Sequence, residues 1–262
     1  MNQPAEQTQA PLATQPFGAS TAITYPSRRV MANAASDDVG VALRDCLAKK
    51  QVARVVLAAA PSQAEMLAEL AIFQDIDWSR VTLFHMDEFI GLSPDARQRF
   101  AAWLDAHFFS KVPQATALRI VPEPDPEAEA KRYASLLKED EIDLVCLGIG
   151  VNGHIAFNDP PVADFDDPLD VKVVELDRTC RLQQVDDQGF RTIDEVPTHA
   201  VTLTVPRLLR AKRLFCCVPG SHKVEAVRNS LDGPITTEWP ASILRTHPDC
   251  TLYLDKDSNP DV

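Results

Sequence analysis

The chain has 262 residues, of which 45% are hydrophobic, enough to form one large α/β domain or two small ones. Its formal net charge of −12 argues against non-specific binding to nucleic acid and to anionic membrane surfaces. No apolar stretch reaches the length of a transmembrane span, and no basic segment followed by an apolar one predicts a signal peptide. We therefore expect a small-molecule ligand and a cytoplasmic location. The six cysteines form no C-x-x-C pair, which favours buried free thiols and a reducing compartment.

Residues 1–24 are rich in Gln, Ala, Thr and Pro, a composition typical of a disordered or loosely docked arm. We expect residues 25–262 to form one domain, since no repeat and no clear linker interrupts them. The first helix is predicted to follow Ser36, a plausible N-cap, because apolar residues recur at helical spacing from Val39 onwards.

Strands and helices alternate along the rest of the chain. Apolar runs predict strands near residues 55–57, 81–84, 118–121, 144–149, 171–176, 199–205, 213–218 and 251–255. Helical spacing predicts helices near residues 66–73, 97–109, 126–138 and 221–231, whereas residues 177–198 show no clear pattern. This alternation predicts an α/β fold with a mostly parallel sheet and helices on both faces.

Residues 143–161, with the sequence DLVCLGIGVNGHIAFNDPP, are the most informative stretch. They begin as a near-continuous apolar run, as in a strand that is buried on both faces. The run gives way to three glycines and to four polar residues: Asn152, His154, Asn158 and Asp159. Because open α/β sheets bind ligands just beyond the carboxyl ends of their strands, we expect a binding site here.

Asp87 and Glu88 follow the strand predicted at residues 81–84. Two adjacent carboxylates at the end of a strand cost free energy unless water solvates them or a ligand binds them. A metal site built from His85, Asp87, Glu88, His154 and Asp159 is one alternative. We give it little weight, because helical H-x-x-x-H spacing is missing.

Two further turns are candidates for binding an anion. Ser62 and Gln63 lie where a helix N-terminus would point at the crevice and offer free N–H groups. An ordinary serine N-cap is the alternative interpretation. Ser221 is expected to cap a later helix, which places Lys223 in its first turn.

Three segments, HMDEFIGL, GVNGHIAFNDP and GSHKVEAV…WPASILRTHP, together resemble the glucosamine-6-phosphate deaminase/isomerase family, which is related to the 6-phosphogluconolactonases. They occur in the family's order and at similar separations. The GHIAFN sequence favours the deaminase branch. The resemblance implies a Rossmann-like fold, a sugar-phosphate substrate, and aldose–ketose isomerisation with release of ammonia. It implies no metal and no cofactor.

The resemblance also implies roles for single residues. Asp87 matches the carboxylate that moves a proton between C2 and C1, and His154 matches the group that protonates the ring oxygen. Lys223 matches the phosphate-binding lysine. Asn152 and Asp159 are predicted to assist His154. The remaining predicted substrate-binding residues are Ser62, Gln63, Glu88 and Gly153.

Several positions depart from the family's pattern. Asn152 stands where deaminases usually have an aspartate, so it can orient the histidine but cannot offset its charge. Asp159 replaces a glutamate, which retracts the carboxylate by roughly 1.5 Å. The glycine- and threonine-containing phosphate loop is replaced by AAAPSQ, and a phosphate-contacting arginine has no evident match, although Gln183 and Gln184 lie nearby.

These departures leave two other functions open. A lactonase-type hydrolase would use His154 to activate or deliver water and would not need Asp87 as a carbon base. A non-catalytic sugar-phosphate sensor would bind its ligand without turnover. The sequence does not select the particular sugar phosphate or the oligomeric state.

Overall fold

The structure is a computed structural model that describes residues 9–187 and 189–262. Its strands are β1 (Ala13–Phe17), β2 (Ser20–Tyr25), β3 (Ala53–Leu57), β4 (Val81–His85), β5 (Asp87–Phe89), β6 (Thr116–Leu118), β7 (Leu144–Leu147), β8 (Val171–Glu175), β9 (His199–Leu203), β10 (Arg213–Val218) and β11 (Cys250–Asp255). Its helices are α1 (Arg28–Lys49), α2 (Ala64–Leu70), α3 (Phe100–His107), α4 (Pro126–Lys138), α5 (Arg178–Asp186), α6 (Val205–Leu209) and α7 (Val224–Asp232). Residues 178–186, which show no clear pattern in the sequence, thus form α5.

The main sheet has eight strands in the order β1-β2-β11-β10-β7-β3-β4-β6. Every neighbouring pair is parallel except β1 and β2, which form an antiparallel hairpin. A second, antiparallel sheet has the order β5-β9-β8. The predicted α/β fold with a mostly parallel sheet is therefore confirmed.

The side chains of the central strands alternate between two hydrophobic cores. In β3, Val55 and Leu57 pack in one core with Leu43 of α1 and Met66 of α2. Val56, between them, points to the opposite core, which also contains residues of α4 and α7. Burial on both faces explains why these strands read as continuous apolar runs.

The N-terminal segment corrects one prediction. Residues 13–24, which we expected in a disordered arm, belong to β1 and β2, and β2 pairs in parallel with β11. Phe17 and Ala22 are almost completely buried there. The strands were missed because their few apolar residues lie among Thr, Gln, Ser and Pro. Residues 1–8 of the predicted arm lie outside the described part of the chain.

The start of α1 was also predicted wrongly. Its N-cap is Ser27, whose side chain accepts a hydrogen bond from the backbone N–H of Val30 at 3.3 Å. Ser36 is buried inside the helix, and its hydroxyl donates to the carbonyl of Asn33 at 2.8 Å. The helix therefore begins earlier, and its first turn lies next to the carboxyl edge of the sheet.

All six cysteines are free, and all except Cys46 are buried, as the sequence predicted. Within residues 9–187 and 189–262, no helix is both long and apolar enough to cross a bilayer.

Candidate active site

A cleft of about 490 Å³ opens at the carboxyl ends of β3, β4, β7 and β10. Four of the predicted site residues line it: Ser62, Asp87, His154 and Lys223. Each comes from the turn after a different strand, so the parallel sheet brings together residues that are up to 161 positions apart. The other predicted residues, Asn152, Gly153, Asp159, Gln63 and Glu88, lie behind this surface.

His154 is held by its Nδ1 atom. This nitrogen lies 2.8 Å from Oδ1 of Asn152 and 3.0 Å from Oδ1 of Asp159, so its proton is shared between two acceptors. The amide nitrogen of Asn152 donates to the same Asp159 oxygen at 2.9 Å. Nε2 of His154 makes no hydrogen bond to a residue that the structure describes, and His154 lines the cleft. The imidazole can therefore exchange a proton with a ligand through Nε2.

Asp159 is a buried carboxylate that stays charged. Burial alone would raise its pKa, but the charge and hydrogen bond of His154 and the hydrogen bond from Asn152 outweigh burial and lower it. The thiol of Cys180 in α5 lies within 4.8 Å of the ligand atoms of both His154 and Asp159. Asp159 thus supplies the negative charge that Asn152 cannot supply, despite its short side chain.

Gly150 lets the histidine ring pack directly on the backbone. A Cβ atom at this position would lie 2.1 Å from Cε1 of His154, so any larger residue would displace the ring. Gly153 has φ of +80° and packs against Trp239, away from the cleft. Its positive φ allows the turn that brings His154 back beside Gly150, and its role in substrate binding stays a prediction.

Asp87 has a buried carboxylate that lines the cleft and accepts no hydrogen bond from a described residue. Burial, and then the charges of Glu88 and Asp159, raise its pKa well above the usual value. The backbone carbonyl of Asp87 is fixed by His85, whose Nδ1 donates to it at 2.8 Å, while Nε2 of His85 accepts from the N–H of Ile120. Asp87 is therefore a strongly basic carboxylate on a rigid support.

Glu88, a predicted substrate-binding residue, does not line the cleft. Its carboxylate is fully buried and accepts hydrogen bonds from the backbone N–H groups of Phe89, Phe100 and Ala101, each at 3.0 Å. Arg99 lies 3.7 Å away as its ionic partner. Glu88 thus caps the N-terminus of α3, because successive side chains on a strand point to opposite sides and Glu88 points away from Asp87.

Lys223 supplies a positive charge with no close partner. It is only 4% exposed and lines the cleft, and no carboxylate of the described chain lies within 4.0 Å of it. Burial lowers its pKa to about 8, although the charge of Asp187 acts in the opposite direction. Ser221–Lys223 form a 3-10 turn before α7, and Ser221 makes no side-chain cap, contrary to the prediction. A buried ammonium of this kind is suited to binding an anion.

The turn after β3 offers a hydroxyl to the same cleft. Gln63 is buried behind it and donates to Oγ of Ser62 and to the carbonyl of Cys217, both at 3.1 Å. The Ser62 hydroxyl proton therefore remains available for a ligand. Gln63, which we predicted to bind substrate, instead orients Ser62.

Sequence reasoning missed several residues that line the cleft: Arg28, Arg97, Trp103, Asp187, Phe190 and His222. Arg28 was not predicted to lie at the cleft, because α1 was expected to begin only after Ser36. Asp187 and Phe190 lie in a region that gave no clear pattern. Gln183 also lines the cleft, and its side-chain oxygen accepts from the N–H of Val151 at 2.9 Å.

The metal site considered from the sequence is not assembled. Both ring nitrogens of His85 are engaged with the backbone, and burial lowers its pKa to about 3. Glu88 is likewise engaged with α3. Within the described ranges, His154, Asp159 and Cys180 are close enough to hold a metal, but Nδ1 of His154 is already shared between Asn152 and Asp159.

Comparison with known proteins agrees with this geometry. Residues 26–253 match the family described as glucosamine-6-phosphate isomerases/6-phosphogluconolactonase. A glucosamine-6-phosphate deaminase of an Exiguobacterium species is 38% identical over 181 residues, which are 69% of this chain and 69% of the relative. The corresponding protein of Lactobacillus helveticus is 34% identical over 210 residues, which are 79% of this chain and 85% of the relative.

Solved structures show the same fold. A monomeric glucosamine-6-phosphate deaminase superimposes with a TM-score of 0.84 at 27% identity, covering 91% of this chain and 98% of its own. A 6-phosphogluconolactonase from Leishmania guyanensis has a TM-score of 0.74 at 21% identity, covering 92% of this chain and 98% of its own, and supports the fold alone. The resemblance inferred from the sequence is confirmed: the chain belongs to the family of glucosamine-6-phosphate isomerases and 6-phosphogluconolactonases.

Proposed function

We propose that this chain is a glucosamine-6-phosphate deaminase that converts an amino-sugar phosphate and water into a ketose phosphate and ammonia. The observation that carries the proposal is the convergence of Asp87, His154 and Lys223 on one cleft. A proton acceptor of raised basicity, an imidazole with one free nitrogen and an unpaired buried cation are the three groups that this reaction needs.

The first step is opening of the sugar ring. Lys223 and the hydroxyl of Ser62 hold the phosphate at one end of the cleft. The imidazolium of His154 donates the Nε2 proton to the ring oxygen as the bond from C1 to that oxygen breaks, and the C1 hydroxyl gives its proton to water, which leaves an aldehyde. Asp159 stabilises the imidazolium before the transfer, because its negative charge lies 3.0 Å from Nδ1.

The second step moves a proton from C2 to C1. As Asp87 removes the C2 proton, water protonates the oxygen on C1, which leaves an enolamine across C1 and C2. Asp87 then returns its proton to C1, and the nitrogen becomes that of a protonated imine at C2. Addition of water with loss of ammonia gives the ketose. The raised pKa of Asp87 favours this step, because a more basic carboxylate is a better acceptor for a proton on carbon.

The test is to incubate the protein with glucosamine 6-phosphate and to measure ammonia and fructose 6-phosphate together. We expect equal amounts of the two products, and Asp87→Asn should lower the rate by a factor of about 10² or more. Asp45→Asn, a change at an exposed carboxylate on α1, is the matched control and should keep the wild-type rate.

Two outcomes would contradict the proposal. Hydrolysis of 6-phosphogluconolactone that survives Asp87→Asn would identify a lactonase, which needs no base at carbon. Thermal stabilisation by glucosamine 6-phosphate without any product would identify a binding protein.

A further inference from the structure

Arg28 lines the cleft but has no part in the reaction described above. It is the first residue of α1, and two of its nitrogens are fixed. Nε lies 3.1 Å from a carboxylate oxygen of Glu65, and Nη2 donates to the carbonyl of Pro61. These contacts hold the guanidinium beside the turn that presents Ser62. Nη1 makes no hydrogen bond to any residue between positions 9 and 187 or 189 and 262.

Two cationic side chains, those of Arg28 and Lys223, line the cleft near this turn. Lys223 and His222 line the same cleft as Arg28, and Lys223 has no ionic partner among the described residues. The charge of Arg28 contributes, after burial and after Lys223, to lowering the pKa of His222. Asp187 is the carboxylate in the cleft that faces them, and Glu65 is exposed to solvent.

The turn itself offers few backbone donors for an anion. Pro61 has no N–H group, and the N–H of Gln63 is bonded to the carbonyl of Ala60 at 2.9 Å. The N–H of Ser62 makes no hydrogen bond within the described chain, so a phosphate at this turn needs side chains in addition to that single backbone donor. A guanidinium is well suited, because it presents several donors in one plane and stays charged at every pH at which the protein is folded.

We propose that Arg28 is a phosphate-binding residue, which acts with Lys223 and the Ser62 hydroxyl to determine the enzyme's preference for a phosphorylated sugar. This assignment rests on the proposed function, since it takes the substrate to be a sugar phosphate. Arg28 touches the phosphate and not the reacting carbons, so it contributes to binding in the ground state and the transition state alike.

The kinetic test compares Arg28→Gln with Arg29→Gln. Arg29 is the adjacent arginine on α1, is exposed and does not line the cleft, so it controls for the loss of one charge. We expect Arg28→Gln to raise KM for glucosamine 6-phosphate about tenfold and to leave kcat within about twofold, which is the magnitude of one charge-assisted hydrogen bond. Arg28→Lys should recover part of the affinity, and Arg29→Gln should match the wild type.

A second measurement does not depend on turnover. Titration of inorganic phosphate, followed by the shift in thermal unfolding, gives a dissociation constant for each variant. A dissociation constant about tenfold weaker in Arg28→Gln, with Arg29→Gln unchanged, supports the assignment even if no sugar phosphate is converted. Equal affinities in Arg28→Gln and the wild type, or no binding of phosphate by the wild type, overturn it even if deamination occurs. The two proposals can therefore fail separately.

Discussion

The Nδ1 atom of His154 lies 3.0 Å from the carboxylate of Asp159, and the amide of Asn152 is hydrogen-bonded to both. The two substitutions that distinguish this chain from the deaminase pattern therefore lie in one hydrogen-bonded group. Asn152 fixes the orientation of the ring and Asp159 provides the charge. The division of roles explains how a shorter carboxylate and a neutral amide together support the imidazolium.

Replacing Asp159 by Asn tests this division. The new amide keeps an oxygen that can accept from His154 and Asn152, so the geometry is retained while the charge is lost. We expect kcat for deamination to fall by about 10- to 100-fold, because the imidazolium that opens the ring is no longer stabilised. The measurement is steady-state ammonia release, together with a thermal unfolding curve to confirm folding. A kcat within twofold of the wild type would show that Asn152 alone is sufficient.

Asp87 should reduce the stability of the free protein at neutral pH. Its pKa is raised in the folded state, so the unfolded chain releases this proton at a lower pH than the folded one. Between the unfolded value of about 3.9 and the folded pKa, stability therefore decreases as the pH rises. We expect Asp87→Asn, which cannot ionise, to unfold at a higher temperature than the wild type at pH 7 to 8 while being inactive. A lower unfolding temperature would contradict the raised pKa.

The strands that form the site could be predicted from the sequence, because burial on both faces gives them continuous apolar runs. The turns after them were recognisable from their glycines and polar residues. What the sequence could not show is which way each side chain points. Asp87 and Glu88 are adjacent and chemically alike, yet only Asp87 lines the cleft. Gln63 and Gly153 lie in the correct turns but act on Ser62 and on the backbone of the histidine turn.

The N-terminal region shows a different limit of sequence reasoning. The pairing of β2 with β11 joins residues about 230 positions apart, and β2 has little hydrophobic character of its own. The hairpin is stabilised by the pairing of β2 with β11, a tertiary interaction that local composition does not reveal. Because this hairpin was not predicted, neither the N-cap Ser27 nor the position of Arg28 beside the cleft could be predicted.

Binding of phosphate should weaken above pH 8. Burial lowers the pKa of Lys223 to about 8, and only the protonated amine attracts an anion. As the pH rises through this value, KM for glucosamine 6-phosphate should increase, with a slope approaching tenfold per pH unit. His222 also faces this group, but burial lowers its pKa, so it is already neutral in this range. Lys223→Arg should remove the slope between pH 8 and 10, because a guanidinium remains charged. A wild-type KM that is constant over this range would contradict the assignment.

Glu88 should matter more for stability than for chemistry. Replacing Glu88 by Gln puts a neutral amide in place of the carboxylate that accepts hydrogen bonds from three backbone N–H groups. It also removes the counter-ion of Arg99, which is nearly buried. We expect the free energy of unfolding, measured in urea, to fall by about 2–4 kcal/mol, because a buried hydrogen-bonded charge is lost. Glu238→Gln, a change at an exposed carboxylate, should alter it by less than about 0.5 kcal/mol. At a temperature where Glu88→Gln is folded, kcat should stay within a few-fold of the wild type, because Glu88 does not line the cleft and its charge is only the second cause, after burial, of the raised pKa of Asp87. A large loss of kcat without a loss of stability would place Glu88 in the catalytic machinery after all.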